Sequence, residues 1–332
     1  MRRRQRFPYS YDSSYRSESM RPWSHRLAWV LCCATVVLLA AGAMVTSTGS
    51  SLAVPDWPLA YGQLFPPMVG GILYEHGHRL IAATVGLLTI GMVGWLWWAE
   101  PRRWVRWLGV GALCAVILQG VLGGLTVLFL LPKPISIGHA LLAEAFFMTT
   151  VALVQVTSSG WDDMVRRGRQ PVRSRLASWA TVTWGALLGE LLLGAVVRHF
   201  NAGLAIPDFP LAYGRLIPPL TAFPILIHFL HRLGALVVLV LIIGTIWQVR
   251  RHHWNESALR RPVTVMGWLV ALQILLGGTV IWTQRAPTIT TLHVVNGALL
   301  IATTALLTLR AWVLTAPPRP ATRSSSAEYS AR

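Results

Sequence analysis

Long apolar stretches alternate with short basic ones along the whole chain. Eight apolar stretches can be marked, at about 27–48, 77–98, 106–129, 138–158, 177–198, 225–249, 262–283 and 290–314. Each reaches the roughly twenty residues that a helix needs to cross a bilayer. Residues 27–55 and 107–132 contain no charged side chain at all. A soluble fold would have to bury eight such helices inside one 332-residue domain. The pattern therefore predicts an all-α integral membrane protein with eight spans.

Charge changes the picture in one respect. The net charge of +17 suggests nucleic acid at first sight, but 23 of the 29 basic residues fall in alternate loops and in the two tails. Clusters stand at Arg102, Arg103 and Arg106, at Arg166, Arg167, Arg169, Arg173 and Arg175, and at Arg250, Arg251, Arg260 and Arg261. This is the positive-inside distribution, with both termini cytoplasmic. The arginines set orientation and exclude a nucleic-acid partner. The first apolar run is longer than a signal-peptide core and is expected to stay as a span. The tails 1–26 and 315–332 are polar and rich in Arg, Ser and Pro, a composition typical of disorder. Cys32, Cys33 and Cys114 all lie inside predicted spans, and no CxxC occurs, so a disulfide framework and covalent heme attachment are excluded.

The chain is also written twice. SLAVPDWPLAYGQLFPP at 51–67 returns as GLAIPDFPLAYGRLIPP at 203–219, identical at twelve of seventeen positions. Further on, LQGVLGGLTVLF at 118–129 returns as LQILLGGTVIWT at 272–283. This predicts two homologous four-helix halves, 27–158 and 177–314, joined by a basic cytoplasmic linker at 159–176. The GG pairs at 123–124 and 277–278 are expected to permit close helix approach.

Candidate chemistry rests on the histidines. His78 and His231 are repeat mates, as are His139 and His293, and all four fall near helix starts on the outer side. Polar residues inside a membrane are costly and usually functional. Imidazoles on facing helices suit axial ligation of heme iron, giving one porphyrin site per half. Zinc fits less well, because no acid or thiol cluster completes a tetrahedral set in both halves. His76 points away from His78, His199 ends a helix beside the outer loop, and His25, His252 and His253 sit among cytoplasmic arginines.

The halves differ at one telling place. Glu75 stands three residues before His78, where the second copy has His228 before His231. The i, i+3 spacing puts each on its histidine's face. A carboxylate there can move protons, which makes the N-terminal half the reactive one; the alternative is a simple ion pair with Arg79. Glu144 and Glu190 lie deeper, and Glu190 fits either a proton relay or a structural hydrogen bond. The PDWP and PDFP loops are expected to form a lid over each site, with the acid capping or binding an arginine and the aromatic at the interface. Arg79, Arg232, Arg198 and Arg215 are placed for heme propionates.

These residues together resemble the heme A synthase family of cytochrome oxidase biogenesis, over about residues 27–314. The resemblance rests on the PDWP and PDFP loops, Glu-x-x-His-Arg at 75–79, the LQ…LGG runs and the four histidines. It implies eight helices in two pseudo-symmetric four-helix bundles. It also implies oxidation of the C8 methyl of heme O to a formyl group by successive hydroxylations. On that resemblance His231, His293 and Arg232 hold a resident heme b, His78, His139 and Arg79 bracket the substrate heme, and Glu75 is catalytic. The implied partners are heme O, the heme O synthase, the lipid bilayer, an electron acceptor and a second copy of the chain. The implied location is a bacterial plasma membrane. Many members carry a cysteine pair flanking this loop; here Val54 and Ala60, and Ile206 and Ala212, stand at those places. The competing readings are an electron-carrying membrane b-type cytochrome and a heme-binding assembly chaperone.

Overall fold

Each apolar stretch folds as one long helix in the computed structural model, which describes residues 11–168 and 175–315. The elements are α1 (Tyr11–Ser47), α2 (Gly70–Ala99), α3 (Arg103–Leu128), α4 (Lys133–Thr157), α5 (Gly160–Arg167), α6 (Leu176–His199), α7 (Phe223–His252), α8 (Ser257–Trp282) and α9 (Pro287–Thr315). All except α5 are long and apolar enough to cross a membrane, which gives eight spans. Their outward faces carry large exposed apolar side chains such as Leu87, Ile117, Val240 and Trp268. In a multi-pass membrane protein this surface belongs against lipid.

Two segments outside the spans carry helix. The N-terminal segment 1–26 is helical from Tyr11 on, continuous with the first span, and the helix has a partner there. Arg21 pairs with Asp162 at 2.6 Å. Within the linker 159–176, residues 160–167 form α5. Arg102 ties this short helix in place, bonding both Glu100 (2.7 Å) and Asp162 (3.4 Å). The tail 316–332 and the linker residues 169–174 lie outside the described residues.

Within each half the helices pack in a ring. α1 meets α2, α2 meets α3, α3 meets α4 and α4 returns to α1; α6 to α9 repeat the order. The halves join through α1 on α9, α4 on α6 and α4 on α9. Exchanging the halves maps this set of contacts onto itself. Cys32 of α1, Phe147 of α4 and Ala298 and Ala302 of α9 fill the seam. Two arginines pin its ends. Arg310 donates to Gln155 Oε1 (2.6 and 3.0 Å) and to the Ala258 carbonyl (3.0 Å). At the opposite end Arg198 of α6 donates to the Ala43 carbonyl (2.6 Å) and Ser47 Oγ (3.2 Å) of α1.

The repeated loop explains its own conservation between the copies. Ala60 and Gln63 exchange two 3.0 Å backbone bonds around Tyr61 and Gly62, both left-handed at φ 53° and 71°. This is a two-residue hairpin turn that only tolerates such φ values. The tyrosine is an unusual residue there, and two contacts hold it. Asp56 accepts from the N–H groups of Tyr61 (2.7 Å) and Gly62 (2.8 Å), and Tyr61 Oη donates to the Ala53 carbonyl (2.8 Å). Asp208, Tyr213, Gly214 and Ala205 reproduce every one of these bonds. The acid thus caps the turn, while Arg79 takes backbone carbonyls instead.

The two aspartates depend on pH in a defined sense. The Gly62 and Tyr61 N–H groups hold Asp56 below the usual carboxylate range, and the Gly214 N–H group leads the same effect on Asp208. Their contribution is full above the ordinary carboxylate pKa and is lost as pH falls through the lowered one. Asp56→Ala and Asp208→Ala should each open their own loop to limited proteolysis at neutral pH while leaving the helices intact. Unchanged cleavage in both variants would show that the turn stands without its acid.

Candidate functional site

Four imidazoles define the site. His78 and His231 lie eight residues into α2 and α7, which start at Gly70 and Phe223; His139 and His293 lie six residues into α4 and α9, which start at Lys133 and Pro287. They therefore share a depth near the end of the bundle that carries the repeated loops. His78 and His139 are near enough to interact electrostatically, and so are His231 and His293. Each pair that the repeat predicts lies at one depth within one half.

Each imidazole rests on a glycine of the neighbouring helix. A Cβ at Gly42 would meet His78 Cε1 at 2.9 Å, and one at Gly194 would meet His231 Cε1 at 3.2 Å. The corresponding distances are 3.5 Å from Gly123 to His139 and 3.3 Å from Gly277 to His293. All four residues are half-buried, yet Nδ1 of every one is buried without a hydrogen-bond partner. An unsatisfied buried polar group costs about 1–3 kcal/mol, so His78, His139 and His293 mark a site built to be completed by something else, while His231 Nδ1 has the Glu190 carboxylate 2.7 Å away. Among the described residues no three His, Cys, Asp or Glu side chains converge as a metal site. Imidazoles at one depth on two helices of each half suit a metal whose remaining ligands arrive with it, as in a porphyrin.

The second glycine of each GG pair serves the loop. A Cβ at Gly124 would strike the Trp57 ring at 2.8 Å, and one at Gly278 would strike Phe209 at 2.9 Å. The two glycines thus seat adjacent groups, the first an imidazole and the second the lid aromatic. Sequence reasoning assigned both to helix approach and missed this division. The spacing of Gly42 and Gly194, repeat mates like the histidines they face, was the available signal.

Glu75 and His228 hold the loops to the helices. Glu75 Oε2 accepts from the Val54 N–H at 2.9 Å, and Oε1 accepts from Arg79 at 2.6 Å. In the other half His228 Nδ1 accepts from the Ile206 N–H at 3.2 Å. Arg79 also donates to the carbonyls of Asp56 (2.7 Å) and Leu59 (2.8 Å), and Arg232 to those of Leu211 (2.9 Å) and Ile206 (3.2 Å). Both arginines therefore spend hydrogen bonds on the lid. His76 Nε2 donates to the Leu64 carbonyl at 2.8 Å and adds a tie that the second half lacks, where Phe229 takes its place.

The remaining candidates are scattered. Arg215 closes the backbone turn opposite Ala212 and is exposed. Arg198 lies at the seam, within electrostatic reach of His293, and its neighbour His199 is within reach of His139 across the halves. Glu144 is buried with Oε1 unpartnered. Glu190 comes within 2.7 Å of His231 Nδ1, although the angle misses that of a hydrogen bond.

Fold and site define a duplicated helical membrane protein with paired imidazoles under a lid in each half. Residues 70–305 match the family described as cytochrome oxidase assembly protein, COX15-CtaA. A heme A synthase of Symbiobacterium thermophilum is 35% identical over 73% of this chain and 81% of its own length. Heme A synthases of Halalkalibacterium halodurans and Geobacillus kaustophilus are each 28% identical, over 81% and 76% of this chain and 90% and 80% of theirs. The chain belongs to the cytochrome oxidase assembly protein family.

The glycine cradles carry a graded expectation. Gly42→Ala should displace His78 more than Gly123→Ala displaces His139, since its Cβ would start at 2.9 Å against 3.5 Å. Heme content and visible spectrum of the purified variants measure this. Equal, wild-type pigment in both would show that the cradles are not needed.

Proposed function

We propose that this chain is a heme A synthase that oxidises the C8 methyl of heme O to a formyl group by successive hydroxylations, for cytochrome oxidase assembly. The observation that carries the reading is the matched set of four imidazoles, each on a glycine, in a chain of this family. His231 and His293 hold a resident heme b, and His78 and His139 bracket heme O as substrate. When bound, heme b supplies one-electron transfer. The imidazoles fit it because each is seated against a helix glycine, Gly194 or Gly277, and their donor chemistry suits ligation of heme iron.

The chain's own residues divide the remaining work. Trp57 and the hairpin turn cover the N-terminal site and exclude water from it. Arg79 holds that lid through three backbone carbonyls, those of Asp56, Leu59 and Val54. Glu75 moves protons at its carboxylate, one turn from His78, while its bonds to Val54 and Arg79 keep it in place. The arginine-rich end, with α5, faces the cytoplasm, so the histidines and lids face outward. Heme O enters sideways from the lipid or by direct transfer from the membrane enzyme that makes it.

Three outcomes test this. Expressed with a heme O source, the protein should yield extractable heme A; persistent heme O alone would favour an electron-carrying b-type cytochrome. His231→Ala and His293→Ala should lose the low-spin b-type spectrum, and an unaltered spectrum in both would refute the resident site. Glu75→His copies His228 and so keeps a loop acceptor while removing the acid. General acid–base groups contribute about 10²–10⁴-fold in rate, so this variant should retain heme b and make little heme A. Normal heme A output would reduce Glu75 to a loop anchor.

A further inference from the structure

The four helices that receive an imidazole share a second feature. Four positions before each cradle glycine stand Leu38, Gln119, Glu190 and Gln273. An i, i+4 pair lies on one helix face, so this residue sits beside the imidazole. Gln119 Nε2 donates to the His139 carbonyl at 3.0 Å. Gln273 Nε2 lies 3.4 Å from His293 Nε2, and its Oε1 accepts from Asn296 at 2.7 Å. Glu190 Oε1 lies 2.7 Å from His231 Nδ1, and neither of its oxygens has a hydrogen-bond partner. Leu38 offers no polar group. One carboxylate therefore stands in a set that is otherwise amide or apolar.

Space for it has been made in the same half. A Cβ at Gly234 of α7 would collide with Glu190 Oε2 and come within 3.3 Å of Cδ. The repeat mate of Gly234 is Ile81, and that of Glu190 is Leu38. The first half thus pairs leucine with isoleucine where the second pairs a carboxylate with a glycine. A polar head would collide with any larger residue at 234, so the two differences form one built feature.

We propose that Glu190 is the positioning partner of His231. With heme bound, it would take the Nδ1–H across this 2.7 Å contact, fix the tautomer that leaves Nε2 free for the metal, and make the imidazole a stronger electron donor. Carboxylate partners raise ligand basicity in this way, which favours the ferric state. The C-terminal heme is thereby held at a lower potential than a Leu38-type environment would give. This rests on the assignment of heme b to His231 and His293.

Potentiometric titration of the reduced heme band in the purified holoprotein tests it. Glu190→Gln copies the Gln119 and Gln273 positions and should keep heme. At a fixed potential the ferric-to-ferrous ratio should fall about tenfold, a rise of about 59 mV for a one-electron couple. The double variant Glu190→Leu with Gly234→Ile copies the other half and should raise the potential at least as far. Unchanged potentials in both variants would overturn the proposal. Loss of heme from both would overturn it as well, because a positioning partner adjusts a ligand and does not replace one. A His231→Ala protein with the wild-type spectrum would instead refute the heme assignment itself, whatever the Glu190 variants do.

Discussion

Everything at the functional end of the molecule depends on imidazoles reaching the neighbouring helix at a point where that helix has no side chain. A half-buried histidine inside a membrane bundle needs both room and orientation. Gly42, Gly123, Gly194 and Gly277 supply the room, with Cβ positions 2.9–3.5 Å from the ring carbon they would meet. Because helix packing is dense and responds to single methyl groups, these four positions fix where the rings sit. The lid follows from the same constraint. Trp57 and Phe209 occupy the glycines next door on α3 and α8, so loop and imidazole are registered against one turn of helix.

The lid in turn is an exercise in backbone satisfaction. It is a segment of irregular chain at the edge of a bilayer, where unpaired N–H and C=O groups are expensive. Asp56 takes two N–H groups, Tyr61 Oη takes one carbonyl, Arg79 takes three more, and Glu75 takes the Val54 N–H. The second copy follows the pattern with Asp208, Tyr213 and His228, and with Arg232 on two carbonyls in place of three. Twelve identities in seventeen residues are the record of that bonding pattern. The flanking residues Val54, Ala60, Ile206 and Ala212 are all buried. Packing and hydrogen bonds define these loops without a thiol.

Span number, duplication and the four histidines were legible in the sequence because each is a periodic signal. Apolar runs, repeat spacing and matched helix-start positions all survive without knowledge of neighbours. What was not legible is cross-helix. The GG pairs read as generic close approach, and nothing along the chain says that Gly123 meets His139 while Gly124 meets Trp57. Likewise Arg79 and Arg232 looked available for propionates, yet their hydrogen bonds run to loop carbonyls 20 to 26 residues away. The helical start at Tyr11 was hidden for the same reason. Its polar turns carry no membrane signal, and Arg21 finds Asp162 only in three dimensions.

Duplication also makes the differences readable. The two halves share helix order, turn geometry, glycine cradles and lid bonding, so a position where they part is not explained by the scaffold. Beside the first histidine of each half there are two such positions, and each half places one carboxylate. The N-terminal half has Glu75 on the helix that bears His78 and Leu38 on the helix that faces it; the C-terminal half has His228 and Glu190 at the mates of these. The acid in one half is bonded to the lid and to Arg79, and the acid in the other lies against Nδ1 of the imidazole. A carboxylate by the lid can exchange protons with groups that approach the site. One behind an imidazole can only act through that ring. On the proposed roles, the same residue type in two places separates a half suited to chemistry on a bound molecule from a half suited to holding one in a fixed electronic state.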